Sequence, residues 1–168
     1  MQNNIELLKT KIIEVLNNMG IEASVFERVE EGRTVFNIKT PDAQLLIGKQ
    51  GANLEALQHM IRLLVRKDLP EEHFPFAIDI DDYKDKRTIY LKELARKAAH
   101  EVRRSGKPLS LAPMPAHERR VVHNYLSLFA DISSGSTGVD PNRKIILRPK
   151  KVDKNDSSPA DFQFIENM

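Results

Sequence analysis

Two glycines three positions apart, set between two apolar-periodic segments, constrain the fold of this chain more than any other feature. They enclose a lysine and a glutamine in the run Gly48-Lys49-Gln50-Gly51. Glycine lacks a Cβ atom, so the run can adopt positive φ angles and bring its backbone close to another backbone. A helix that begins after the run directs its N-terminal N–H groups to the same place, and Lys49 adds a cation.

The segments around this loop predict an ordered set of elements. Hydrophobic periodicity predicts a helix, a hairpin, a short helix, a longer helix and a strand, at residues 3–19, 23–29 with 34–40, 41–48, 52–67 and 74–80. Thr40 is predicted as the N-cap of the short helix. The apolar stripe of the longer helix comprises Leu54, Leu57, Ile61, Leu64 and Val65. A glycine-capped helix corner is the simpler interpretation of the loop alone. The order of elements matches the type II KH fold, and the loop resembles the one with which KH domains clamp single-stranded nucleic acid.

The second half of the chain predicts another small unit. Its predicted elements are a long helix, a short strand, a helix and two strands, at residues 83–105, 107–111, 116–128, 129–134 and 144–148. The apolar face of the long helix comprises Ile89, Leu91, Leu94, Ala95, Ala98, Ala99 and Val102. The predicted fold class is therefore α+β, with two small domains that each pack a three-stranded sheet on helices. We place the domains at 1–82 and 83–151, followed by a polar segment at 152–168 that we predict to be disordered.

Charge is divided unevenly between these halves. Residues 1–82 hold 9 Lys/Arg against 14 Asp/Glu, whereas residues 83–168 hold 17 against 10. A basic half joined to an acidic half suggests two modules, one of which faces a polyanion. The chain has no cysteine, which excludes a disulfide framework, a thiolate zinc site and a cysteine nucleophile. Neither a signal peptide nor a membrane-spanning run is recognisable, so we expect no membrane insertion.

A second motif lies on the predicted helix at residues 116–128. Arg119 and His123 are four positions apart, which places them on one helical face. A guanidinium offers a bidentate fork for phosphate, and an imidazole can donate a hydrogen bond or stack on a base. The alternative is a helix with a surface arginine and a partly buried histidine. We expect both side chains to project toward the groove beside the strand at residues 144–148. If Arg119 is exposed there, Arg119→Ala should not greatly lower thermal stability.

The motif and its surroundings resemble a known domain. Residues 106–123 are similar to the R-three-H domain, a single-stranded nucleic-acid-binding domain named for an Arg, three residues and a His. A KH domain directly before such a domain resembles the bacterial Jag family, also called KhpB, and the resemblance covers residues 34–150. Members often carry a further N-terminal module, and we expect that module to be absent here.

The resemblance implies a cytoplasmic protein that binds single-stranded RNA, with single-stranded DNA as another ligand. It implies an RNA chaperone or post-transcriptional regulator linked to cell-envelope growth and cell length, a small single-KH-domain partner, and no cofactor. The residues that match the family's binding motifs are Gly48, Lys49, Gln50, Gly51, Arg119 and His123. From charge alone we add seven neutralisers of the nucleic-acid backbone: Lys107, Arg120, Arg143, Lys144, Arg148, Lys150 and Lys151.

Two other classes of function remain open in the sequence. The acidic run Asp79, Asp81, Asp82 and Asp85, or His117 and Glu118 with His123, suggests a divalent-metal-dependent nuclease or hydrolase. Neither set has the spacing of a known catalytic motif, so we predict that the protein is not an enzyme and holds no metal. A pure protein-interaction scaffold is the other alternative, and salt-sensitive RNA binding would distinguish it from a nucleic-acid-binding protein.

Overall fold

A computed structural model describes residues 2–30, 32–69 and 74–150. The chain divides into two compact units, Met1–Leu91 and Lys92–Met168. The first unit contains α1 (Gln2–Asn18), β1 (Ser24–Glu30), β2 (Arg33–Lys39), α2 (Ala43–Ile47), α3 (Ala52–Val65), β3 (Phe76–Ile80) and the start of α4 (Tyr83–Ser105). Its sheet has the order β1-β2-β3, in which β1 and β2 are antiparallel and β2 and β3 are parallel.

The core of the first unit forms between this sheet and the apolar faces of its helices. Leu8, Ile12 and Leu16 recur every four residues along α1 and are buried, as helical periodicity requires. They join Phe36 and Ile38, which alternate along β2, in one apolar cluster. Every residue of β3 is buried, so this strand lies in the interior of the unit.

The outer edge of β3 is bonded to side chains of α3. The Ile78 N–H donates to Gln58 Oε1 over 3.1 Å, and Arg62 Nη2 donates to the Phe76 carbonyl over 3.3 Å. The Arg62 guanidinium also lies over the Phe76 ring, 5.8 Å from its centroid. One helix therefore covers part of the sheet and also takes up two hydrogen-bonding groups at its edge.

The second unit is another three-stranded sheet with helices. It contains the remainder of α4, β4 (Leu109–Ser110), α5 (Ala116–Leu126), β5 (Ile132–Thr137) and β6 (Lys144–Pro149). The strand order is β4-β6-β5 and both pairings are antiparallel. Ile145 and Leu147 alternate along β6 and are fully buried, as are Val122 and Leu126 on α5. This alternation fixes which face of β6 meets the core.

The predicted fold class is confirmed, with local corrections. Leu64 was placed in the stripe of α3 but is 52% exposed, because it lies at the margin of a stripe centred on Leu54 and Ile61. Ile89, placed in the stripe of α4, is 64% exposed. The N-cap of α2 is Asp42 instead of Thr40, because the helix begins at Ala43. The Thr40 hydroxyl donates to the Glu22 carbonyl and accepts the Asp42 N–H.

Strand β5 begins at Ile132, three residues later than predicted. Turn hydrogen bonds continue past the end of α5, from Phe129 N–H to the Leu126 carbonyl and from Ile132 N–H to the Phe129 carbonyl. The boundary predicted at residues 82 and 83 coincides with the start of α4 and stays a prediction. The predicted disordered segment at 152–168 lies outside the described residues. Across the three described ranges, no helix has the length and apolarity that crossing a membrane requires.

Candidate nucleic-acid interface

The loop between α2 and α3 adopts a backbone that only glycine accommodates easily. Gly48 has φ 68° and ψ −174°, and Gly51 has φ 83°. A Cβ atom on Gly48 would lie 2.5 Å from the Asn53 side chain, and one on Gly51 would lie 3.1 Å from the Tyr83 ring. Both glycines are therefore required by backbone angle and by contact.

Neighbouring side chains hold this loop in place. Asn53 Nδ2, in the first turn of α3, donates to the Leu45 carbonyl of α2 over 2.8 Å, which ties the two helices together across the loop. Lys49 is exposed, whereas Gln50 is half-buried and has φ 55°. The loop thus presents a cation and closely approachable backbone at the start of a 14-residue helix.

Arg119 occupies a different environment from the one predicted. Its side chain is buried, with the whole residue only 7% exposed. Nη1 donates to the Met114 carbonyl over 2.7 Å and to Asp140 Oδ1 over 2.8 Å, and Nη2 lies 3.4 Å from Asp140 Oδ2. The condition of an exposed guanidinium is therefore not met, because a carboxylate from the β5–β6 connection covers it.

His123 is half-buried and lies against β5. Its Nδ1 is 2.8 Å from Ser134 Oγ, and the tautomer decides which of the two donates. Arg119 and His123 therefore contact β5 and the connection that follows it. Strand β5 is the hydrogen-bonded neighbour of β6, and the placement of both side chains in a groove beside β6 stays a prediction.

The other predicted basic residues that the structure describes fall on more than one surface of the second unit, and Lys151 lies outside the described residues. Lys144 and Arg148 alternate with the buried Ile145 and Leu147, so they lie on the face of β6 away from the core. Arg143, beside Lys144, is exposed, and its Nε donates to Ser136 Oγ over 3.0 Å. These three cations share one hairpin, which makes it the most concentrated basic surface among the predicted residues.

Lys107 and Arg120 lie on other elements than the two strands of that hairpin, and β4, which follows Lys107, pairs with β6. Both are exposed, Lys107 ahead of β4 and Arg120 on α5. Helix α5 contributes its apolar side to the core face of the sheet, whereas Lys144 and Arg148 occupy the other face. The structure therefore does not bring all the predicted residues of this unit together.

The acidic run that suggested a metal site is engaged in hydrogen bonds at the end of β3. The Asp82 carboxylate accepts from Lys39 Nζ and Arg28 Nη1, each over 2.6 Å, and from Asn37 Nδ2 over 2.7 Å. The Lys39 ammonium and the Arg28 guanidinium hold the pKa of Asp82 below its usual range. Asp79 is 1% exposed, and burial raises the pKa of its carboxyl.

Sequence reasoning missed four residues that shape these sites: Asn53, Tyr83, Ser134 and Asp140. Asn53 lies two residues after the glycine loop, where a polar side chain able to bond the backbone was a usable signal. The other three come close to their partners only through the tertiary fold. Asp140 lies 21 residues after Arg119 in a connection rich in glycine and proline, where a carboxylate carries no positional signal.

Comparisons with known proteins cover both units. A family model of the R-three-H domain matches residues 90–149. Three relatives, each named RNA-binding protein KhpB, come from Clostridium symbiosum, Lactiplantibacillus plantarum and Bacillus subtilis. They are 33%, 31% and 34% identical over 90%, 83% and 73% of this chain. The matched regions span 70%, 43% and 60% of those relatives, so two of them are considerably longer than the region they share with this chain.

Proposed function

Because this chain belongs to the KhpB family, we propose that it is an RNA-binding protein that contacts single-stranded RNA through both of its units. The observation that carries the proposal is the loop from Gly48 to Gly51. Its glycines have positive φ angles, its lysine is exposed and a helix begins directly after it. Such a loop allows a sugar-phosphate chain to approach the backbone closely, and single-stranded DNA would fit by the same contacts.

In the second unit, the β5–β6 hairpin is the surface that neutralises phosphates. Arg143, Lys144 and Arg148 supply three cations there, and Lys107 and Arg120 extend the basic surface. His123 lies on α5 against Ser134 and adds its imidazole to the RNA-binding surface. Arg119 holds the connection before β6 in place, since its guanidinium is bonded to the Asp140 carboxylate and to the Met114 carbonyl.

The cellular role that we propose follows the family resemblance. The protein is a cytoplasmic RNA chaperone or post-transcriptional regulator, and its RNA targets affect cell-envelope growth and cell length. Its protein partner is a small single-KH-domain protein. An apolar hollow of about 320 Å³ among the helices of the first unit offers a surface for such a partner, lined by Met19, Leu45, Leu46, Asn53, Ala56, Leu57 and Met60.

We propose no catalytic activity, because the carboxylates considered for a nuclease have other bonding partners. Asp82 is bonded to two cations and an amide, and Asp79 accepts the backbone N–H groups of Ile80 and Lys84. Labelled single-stranded RNA that stays intact during incubation with the protein and Mg²⁺ is the expected result. Cleavage that Asp81→Ala abolishes would contradict it.

The loop from Gly48 to Gly51, called the clamp loop below, provides the principal test. Replacing both Lys49 and Gln50 with Asp places two carboxylates against phosphate, so affinity for a short single-stranded RNA should fall while the fold persists. A control with the same charge change replaces Lys67 and Asn18, two exposed residues outside the loop, with Asp. RNA binding that is equal in the two double variants would refute the proposed function.

A further inference from the structure

The turn between β3 and α4 holds two consecutive residues in a conformation that their side chains disfavour. Asp81 has φ 49° and Asp82 has φ 56°, and neither is a glycine. A left-handed backbone at such residues costs free energy and persists only where the surroundings enforce it. This turn is also the acidic run that the proposed function leaves without a role.

The hydrogen bonds of Asp82 hold the turn in this backbone conformation. One carboxylate oxygen accepts from Arg28 on β1 and Asn37 on β2, and the other accepts from Lys39 on β2. The Asp82 N–H also donates to Asn37 Oδ1 over 3.3 Å. The turn is thus fastened to two strands of the sheet by its side chain and its backbone together.

A second set of bonds fixes the helix that the turn introduces. Asp79 Oδ1 accepts the N–H groups of Ile80 and Lys84, over 2.9 Å and 3.3 Å. It therefore joins the last residue of β3 to the first turn of α4. The Lys86 N–H donates to the Asp82 carbonyl over 3.2 Å, which continues the same helical turn.

Fixing the turn determines where Tyr83 lies. Tyr83 is the first residue of α4 and packs against the apolar core of the first unit. Its ring approaches the second glycine of the clamp loop so closely that a Cβ on Gly51 would be 3.1 Å from Cε1 and 3.5 Å from the hydroxyl oxygen. Gly51 is buried beneath this contact.

We propose that the Asp82 turn and Tyr83 position the clamp loop for RNA, with Tyr83 as the support on which Gly51 rests. The inference depends on the proposed function, because it assigns these residues a role at the same RNA site. Neither is a direct RNA ligand. The acidic turn acts through the Tyr83 ring, and the ring acts through the backbone of the loop.

Asp82→Asn should change RNA affinity in the direction opposite to the one that the change in charge alone would give. Replacing Asp82 with Asn removes a negative charge from an RNA-binding unit, which would by itself tighten the binding of a polyanion. If Asp82 positions the loop, Asp82→Asn weakens RNA binding instead, since Arg28 and Lys39 lose their shared carboxylate. Asp68→Asn, at an exposed residue after α3, makes the same change in charge and serves as the control.

The experiment measures affinity of the full chain for a short single-stranded oligoribonucleotide, with thermal unfolding as a check of the fold. We expect Asp82→Asn and Tyr83→Ala to weaken binding about fivefold or more, a typical coupling between distinct sites. Tyr83→Phe keeps the ring and should bind as the wild type does. Asp68→Asn should leave binding unchanged or slightly tighter.

A double-mutant cycle separates positioning of the loop from general loss of structure. In a chain that already carries Lys49→Asp and Gln50→Asp, Tyr83→Ala should weaken the residual binding no further. Additive losses, or an Asp82→Asn variant that binds as tightly as Asp68→Asn, would overturn the proposal. If Asp82→Asn does not fold, the comparison of Tyr83→Ala with Tyr83→Phe decides. Loss of binding in the loop variant alone would leave the proposed function standing and refute only this inference.

Discussion

Asp140 shields Arg119 from solvent. The Arg119 side chain is 8% exposed and the Asp140 side chain 60%, with Nη1 and Oδ1 2.8 Å apart. A phosphate that approaches this end of α5 therefore meets a carboxylate before it meets the guanidinium. The Met114 carbonyl, 2.7 Å from the same Nη1, holds the guanidinium from the other side.

Arg119→Ala should lower the stability of the second unit. Removing the guanidinium takes away a buried charged donor that bonds a backbone carbonyl and a carboxylate, so the free energy of unfolding should fall by about 1.5–3 kcal/mol. Chemical denaturation of the full chain would measure it. Arg120→Ala, at the exposed neighbour, should change it by less than about 0.5 kcal/mol. Equal stabilities of the two variants would mean that the Arg119 pair has no structural role.

Asp140→Asn should tighten RNA binding. An amide oxygen can still accept from Arg119, so the shape of the connection persists while the negative charge in front of the guanidinium disappears. We expect a gain of about 0.5–1 kcal/mol in binding free energy, the usual size of an exposed charge interaction. Asp68→Asn in the first unit is the matched control. Weaker binding by the Asp140 variant would show that the carboxylate orders the hairpin more than it repels phosphate.

The basic hairpin predicts a defined salt dependence. If Lys144 and Arg148 each neutralise one phosphate, replacing either with Gln should flatten the slope of log affinity against log salt by about 0.7 on single strands. Titrations at several salt concentrations would give the slope. Lys92→Gln, an exposed lysine on α4, should leave the slope as it is. A wild-type slope near zero would contradict electrostatic RNA binding altogether.

The Asp82 carboxylate predicts a loss of stability in acid. Its pKa in the folded chain is lowered by Lys39 and Arg28 from the ordinary value of 3.8. The unfolded chain therefore takes up this proton first, and the contribution of Asp82 is lost as pH falls below about 4. Asp82→Asn should reduce the dependence of unfolding free energy on pH in that range. Parallel pH profiles for wild type and variant would argue against the ion pairs.

Gly48→Ala should disrupt the clamp loop more than Gly20→Ala disrupts the end of α1. Both glycines have positive φ, but a Cβ on Gly20 would meet no atom within 4 Å, whereas one on Gly48 would lie 2.5 Å from Asn53. The Gly48 backbone also lies in a region essentially restricted to glycine, so strain alone should cost about 1–3 kcal/mol. Thermal unfolding and RNA affinity should both fall for Gly48→Ala, and affinity should persist for Gly20→Ala. Equal effects would indicate that the Asn53 contact is unimportant.

Local features of this fold were predictable because local spacing determines them. The apolar periods of α1 and α3 and the glycine pair between helices each depend on residues a few positions apart, and the structure places elements there. Lys49 is exposed between these glycines, where a loop residue has few neighbours to cover it.

Features created by distant parts of the chain were not predictable in the same way. The burial of Arg119 depends on a carboxylate from the β5–β6 connection, and the contact between Tyr83 and Gly51 depends on the geometry of a turn after β3. Helical periodicity gives the direction of an apolar stripe but not its width. Leu64 was therefore assigned to the core although it lies at the margin of the stripe.

The bonds between α3 and β3 bear on how this protein behaves at high concentration. An edge strand with open N–H and carbonyl groups is a template on which another chain can add a strand and begin to aggregate. Gln58 and Arg62 occupy the Ile78 N–H and the Phe76 carbonyl, so α3 substitutes for the missing neighbour at these two groups. Side chains of α3 therefore protect this edge against the addition of a strand by another chain. The sheet needs no fourth strand for that protection.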